Sequence, residues 1–169
     1  MALQILVFGI FPGLVLLAAT MDMFTMTIPN KLCLALIVAF FVAAPLTGLS
    51  VVMVGWHVLA ALFALAITFM LFASGVFGGG DAKFTAAIVL WLGPTVSLDF
   101  ALLAALFGGL LTAAILMVRS FPSYTVTIDA PWATRLLSRE VGIPYGIALS
   151  AAAMLVFARS PWFLSAVAL

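Results

Sequence analysis

Charge is scarce in this sequence. Six lysines and arginines and five acids account for 7% of 169 residues and leave a formal net charge of +1. A soluble domain carries about 25% charged residues. So little charge cannot clothe a water-facing surface. That excludes a soluble globular enzyme, a disordered chain and a nucleic-acid binder built on a basic face. Cysteine is nearly absent too. Cys33 is the only one, which excludes an intramolecular disulfide and a cysteine-rich metal site. Its position at the start of an apolar run reads as a lipid-buried thiol rather than a nucleophile. The opening MALQILVFGIFPG has no basic residue, so it lacks the n-region of a cleaved signal peptide and reads as the start of a retained span. No internal repeat or polar linker interrupts the chain, and residues 1–169 read as one integral-membrane domain.

What is present is apolar: 67% of the residues are hydrophobic. Runs such as LCLALIVAFFVAA do not alternate as barrel strands do, so the expectation is an all-α polytopic membrane protein. A span needs about 20 mostly apolar residues. Six are expected: Leu3 to Thr20, Leu32 to about Gly48, about Val52 to Ala73, Ala82 to about Pro94, Phe100 to Val118, and about Ile143 to Phe163. The fourth is short and must tilt, run past Gly93 or begin before Asp81. The joints then fall into two sets. Asp22 to Lys31, Ser74 to Lys83 and Arg119 to Gly142 form one; Thr47 to Val51, Gly93 to Asp99 and both termini form the other. Lys31, Lys83, Arg119, Arg135 and Arg139 lie in the first set, against Arg159 near the second. The positive-inside rule makes the first set cytoplasmic and both termini extracytoplasmic. Within the long third joint, Asp129 can cap a short helix with Pro131 in its first turn. Trp132, Leu136 and Leu137 share one face, with Arg135 and Arg139 toward water or lipid phosphates, as in an interfacial helix.

Acids beside an apolar span are costly and mark function. Asp22 ends the first span and Asp81 begins the fourth. Two spans separate them, so both reach the cytoplasmic face. Two carboxylates in a partly dry site split their titration by repulsion: one stays ionised as a base toward water, the other stays protonated as an acid toward a carbonyl oxygen. That is aspartic peptidase chemistry. The structural alternative is that each acid only caps a helix or loop. Asp99, after Ser97, is an N-cap candidate for the fifth span on the other face. His57 stands most of a span from Asp81 and reads as structural. Asp129 and Glu140 belong to the polar joint.

The surroundings of Asp81 are glycine-rich: Gly75, Gly78, Gly79 and Gly80 fall within GVFGGGDAK. Such a run ends the third span and admits close backbone approach. It carries no phosphate-loop GKS or GKT. Lys83 reads as a marker of the cytoplasmic edge. After Asp22, Pro29 in Ile28-Pro29-Asn30-Lys31 pushes Ile28 out of the α region, and Asn30 is placed to cap the second span.

Together these motifs resemble the type IV prepilin peptidases, membrane aspartic peptidases with a GxGD signature, and look closest to the short Flp or Tad pilus branch. DMFTMTIPNK (Asp22 to Lys31) matches an Asp followed by Ile-Pro-Asn. GGGDAK (Gly78 to Lys83) matches GxGDxK, and IPYGIAL (Ile143 to Leu149) matches the Pro-Tyr-Gly opening of the last helix. The resemblance implies catalytic Asp22 and Asp81, supported by Ile28, Pro29, Asn30, Gly78, Gly80 and Lys83. It implies cleavage of a prepilin or pseudopilin leader after a glycine and before a hydrophobic segment, at the cytoplasmic face of the bacterial inner membrane. Water would be the nucleophile, with no metal or other cofactor. The expected partners are those substrates, membrane lipids and pilus or secretion machinery, with no nucleic acid. The chain departs from the family pattern in lacking basic residues from Met23 to Thr27 and in having Phe84 where leucine is common. It also has no cysteine-bearing insertion after the first span, which points to leader processing rather than N-methylation. From the residues alone, a small proton-coupled transporter with membrane-edge carboxylates, or an inactive scaffold, is the rival reading.

Overall fold

The computed structural model describes residues 9–120, 131–138, 141–160 and 162–164. Among these, seven helices follow one another: α1 Phe11–Thr25, α2 Asn30–Leu46, α3 Val51–Ala73, α4 Gly79–Leu92, α5 Ser97–Ser120, α6 Pro131–Leu137 and α7 Tyr145–Phe157. The fold is all-α and membrane-associated. Two helices, α3 and α5, are long and apolar enough to cross a membrane. At 23 residues, α3 reaches about 34 Å at 1.5 Å per residue, against a hydrocarbon core of about 30 Å.

The central element is α4. Nearly every residue from Ala82 to Leu92 is buried, as expected of a helix apolar on all sides, and α2, α3 and α7 pack around it. The first helix buries Phe11, Val15, Ala18 and Asp22. This is a single stripe at helical spacing that ends in a carboxylate. By contrast, α3 buries only His57 and Thr68 and exposes leucine and phenylalanine along the rest of its length.

Polar side chains tie neighbouring helices together. The Trp91 indole N–H donates to the Leu36 carbonyl at 2.9 Å, and the Ser150 hydroxyl donates to the Val15 carbonyl at 3.0 Å. His57 Nδ1 meets the Leu90 carbonyl at 2.8 Å, which places the ring proton on that nitrogen. Each such bond contributes about 1 kcal/mol in a membrane interior. Away from the glycine-rich turn, Phe11, Phe40, Trp91 and Trp162 form an aromatic cluster, with Trp91 and Trp162 stacked at 5.0 Å.

Several boundaries differ from the sequence expectations. Residues 1–8, the start of the expected first span, lie outside the described residues. The helix beyond them continues to Thr25, so Asp22 sits inside α1 rather than at its end, because Met21, Met23 and Phe24 prolong a good helical sequence. The fourth helix starts before Asp81, at Gly79, and ends at Leu92, 14 residues in all. The last expected span is interrupted: α7 ends at Phe157, and the Ser160 hydroxyl accepts from the Phe163 N–H to restart a turn. Cys33 faces the protein core and not lipid, since only 5% of its surface is exposed. Asn30 is the first residue of α2 and not its cap; Pro29 holds that position without a side-chain bond. Asp99 likewise lies within the first turn of α5, where its charge complements the helix dipole. In α6, Trp132 packs edge-on against Phe24 at 5.9 Å and Arg135 is exposed. The cap expected of Asp129, and Arg139 and Glu140, lie outside the described residues.

The α4–α5 turn depends on Gly93. Its φ is +76°, and a Cβ there would come within 2.6 Å of the His57 ring. Gly93→Ala is therefore expected to destabilise the fold by about 1–3 kcal/mol through strain and overpacking. Unfolding in a denaturing detergent titration measures the loss. Adding His57→Ala should recover only part of it, because the backbone strain stays.

Candidate active site

The glycine-rich turn and the start of α4 explain each other. Gly78 is the N-cap of α4 and Asp81 lies in its first turn. The Asp81 carboxyl reaches back to the Gly78 backbone N–H, as the third residue of a capping box does. A Cβ on Gly78 would lie 2.6 Å from Asp81 Oδ2, so only glycine leaves the carboxyl its place. Gly80 serves a different contact. A Cβ there would meet the Ile28 backbone at 3.6 Å, so the turn after Asp22 and the turn before Asp81 lie against each other. Lys83 Nζ donates to Asn30 Oδ1 at 3.0 Å and fastens the same two segments. Lys83 is thus more than the edge marker expected from the sequence, and the Asn30 side chain is used between helices rather than for capping.

On the other side, Asp22 is only 4% exposed. It accepts the backbone N–H of Gly146 at Oδ2, 2.7 Å away. A Cβ on Gly146 would fall 2.8 Å from that oxygen and 2.8 Å from Ile28 Cδ1. The Pro-Tyr-Gly segment therefore supplies an amide to the first acid where a side chain would push the acid away. The neighbouring Tyr145 donates its hydroxyl to the Ala104 carbonyl at 3.0 Å and packs edge-on against Phe77 at 5.3 Å.

Asp22 and Asp81 line one cavity of about 1060 Å³, with Ile28, Asn30, Gly80 and Tyr145 also in its wall. Arg119 borders it while donating to the Leu136 carbonyl at 2.7 and 3.0 Å and to the Gly142 carbonyl at 3.2 Å. It thereby secures the C-terminal end of α6 and the chain leading into α7, where cationic groups are favourable. Among the residues named from sequence, Asp22, Ile28, Asn30, Gly78, Gly80 and Asp81 meet at this cavity. Pro29 shapes the turn and Lys83 grips it. His57 and Asp99 are elsewhere: His57 stacks on Phe40 at 5.5 Å and Asp99 is exposed. Tyr145, Gly146 and Arg119 join the cavity region without having been named as site residues. Tyr145 and Gly146 were signalled by the IPYG segment. Among the described residues, no three His, Cys, Asp or Glu side chains gather as metal ligands would.

The electrostatics separate the two acids. Burial at the mouth of α4, and next the charge of Asp22, push Asp81 up to about 7, against a smaller opposing effect of the Gly78 N–H. Burial raises Asp22 as well, against a smaller opposing effect of the Gly146 N–H. Asp81 carries the repulsion of the other acid in addition to its own burial.

A family model described as the type IV leader peptidase family matches residues 9–113. The chain belongs to the type IV leader peptidase family. It is accordingly an endopeptidase of the aspartic type that removes leader peptides, which decides against the transporter and scaffold readings. No curated protein and no solved structure matches the chain. The matched region carries both aspartates and both turns, while the Gly146 amide comes from beyond it.

A proton held by Asp81 in the folded state, and released earlier by an unfolded chain, makes stability fall as pH rises. The loss begins above about 4, where an ordinary aspartate ionises, and is complete once pH passes about 7. Thermal melting in detergent at pH 5 and pH 8 should show the wild type several degrees less stable at pH 8. Asp81→Asn should remove most of that difference.

Proposed function

We propose that Asp22 and Asp81 are the catalytic pair of a leader endopeptidase that cleaves prepilins or pseudopilins after a glycine, before their hydrophobic segment. One observation carries the reading: two acids from helices far apart in sequence line the same cavity, each anchored by a glycine backbone N–H. The supporting residues are Ile28, Pro29 and Asn30 on one turn and Gly78, Gly80 and Lys83 on the other.

In this reading, the Asp22 carboxylate removes a proton from water as the water oxygen bonds to the scissile carbonyl carbon. Asp81 donates its proton to the carbonyl oxygen, giving a neutral tetrahedral diol. Collapse breaks the C–N bond. The proton on Asp22 passes to the departing amine, and Asp81 recovers a proton from the diol hydroxyl as the carboxylic acid forms. Each carboxyl ends as it began. Both chemical steps need one acid charged and the other neutral, the condition that unequal surroundings create.

The wider assignment is a chain of six spans with both termini extracytoplasmic and the cavity at the cytoplasmic face of the bacterial inner membrane. The asymmetry of Lys31, Lys83, Arg119, Arg135 and Arg139 supports it, and α6 would lie along that face. The order of the motifs, with Asp22 followed closely by Ile28-Pro29-Asn30, favours a Flp or Tad pilus enzyme that processes leaders without methylating the product.

Asp22→Asn and Asp81→Asn should each lower cleavage of a co-expressed prepilin by about 10²–10⁴-fold, the usual scale of a lost general acid or base, with membrane insertion unchanged. Asp99→Asn should retain most activity. The size shift of the prepilin on a gel reads all three, and an active Asp81→Asn enzyme would reject the assigned roles. Gly146→Ala should cost at least about tenfold in kcat, because it displaces the Asp22 carboxyl, and a 1 Å misplacement is enough for such a loss.

A further inference from the structure

A second cavity, of about 760 Å³, runs between α3 and α5. Its length is set by α3, from Trp56 to Leu71, which is about 22 Å at helical rise. Three residues, Leu71, Phe77 and Tyr145, wall both this groove and the cavity that holds Asp22 and Asp81. The two cavities are therefore neighbours across these three side chains. The groove is lined by small residues from both helices, Ala60 and Ala64 from α3 and Ala101 and Ala105 from α5. Its edges carry exposed Leu59, Phe63 and Leu98, so it faces the surroundings of the bundle rather than its core.

One polar atom in this groove is unexplained by the fold. Thr85 is only 8% exposed, lines the groove, and its hydroxyl has no hydrogen-bond partner among the described residues. A buried unpaired hydroxyl costs about 1–3 kcal/mol. Thr68, also on the groove wall, already satisfies its hydroxyl at the Ala64 carbonyl, 2.8 Å away. Thr85 follows Asp81 by one turn of α4, about 6 Å along the axis.

We propose that the α3–α5 groove seats the apolar segment of the precursor as a helix entering sideways from the bilayer. Thr85 hydrogen-bonds a polar group of the seated segment. The inference rests on the leader-peptidase reading and adds the path by which the substrate is held. Three features of the groove select a helix over a lipid chain. Alanine on both walls permits the close backbone approach by which membrane helices associate. The groove is long enough for about fifteen helical residues. Its unpaired hydroxyl offers a hydrogen bond that an acyl chain cannot return.

The test compares two substrates: a full-length precursor in membranes, and a synthetic peptide that contains the leader and scissile bond but stops before the apolar segment. Filling the groove with Ala64→Leu and Ala105→Leu should reduce kcat/KM on the full-length precursor at least about tenfold more than on the peptide, the scale of a lost helix-packing contact. Thr85→Val should act in the same direction, with unfolding resistance equal or greater. Equal losses on the two substrates, or none, would overturn the proposal. A photoreactive residue at position 105 in the intact Asp81→Asn chain gives an answer independent of turnover. Adducts to the precursor's apolar segment, absent when the probe is at exposed Val38, support seating there; adducts to lipid alone overturn it. A wild-type protein that leaves the full-length precursor uncut would instead defeat the leader-peptidase reading itself, a result separate from where the precursor crosslinks.

Discussion

The hydrogen bond from the Gly146 amide to Asp22 is the contact on which the arrangement of the cavity depends. It joins α7 to α1, across 124 positions of sequence, and fixes a side chain that is only 4% exposed. A carboxyl group so deeply buried would be costly without a donor. With one, its direction is set. Asp81 receives the corresponding support locally, from the start of its own helix. The two acids thus obtain similar anchors by different routes, one through tertiary packing and one through helix capping.

The absence of side chains at two glycines makes these anchors possible. At Gly78 and Gly146 a methyl group would crowd a carboxyl oxygen of Asp81 and Asp22, while at Gly80 the Ile28 backbone lies in ordinary contact range. The Asn30–Lys83 bond adds a polar clasp across the same junction. The turn after α1 and the turn before α4 therefore behave as one mechanical unit, although two helices separate them in the chain. Burial raises both acids and a glycine N–H opposes it in each; what separates them is the repulsion that Asp81 feels from Asp22.

Much of this was legible in the residues. Unbroken apolar runs mark the long helices, and the motifs around Asp22 and Asp81 single out the two acids that line one cavity. The glycines before Asp81 pointed to a close approach. Other features were hidden for identifiable reasons. Gly146 acts through a backbone N–H, a group that nearly every residue has, so no side-chain chemistry announced its role. Cys33 looked lipid-facing because hydropathy cannot distinguish lipid from a protein core of similar polarity. Asp22 looked terminal because a charge was taken to end the helix, whereas Met21, Met23 and Phe24 carry it on for another turn. The pairing of Asn30 with Lys83 required knowing that α2 and α4 are neighbours.

The first two turns of α4 commit each direction to a different neighbour. Asp81 turns back to Gly78, the Ala82 carbonyl faces the Thr68 hydroxyl at 3.4 Å, Lys83 reaches Asn30, and Thr85 lines the groove. Successive residues of a helix are about 100° apart in azimuth. Shifting the helix by a single residue would spoil all four engagements at once, with no partial solution between. Asp81 is consequently indexed like a tooth in a gear, and its aim is inherited from the phase of the whole helix rather than from the freedom of its own side chain.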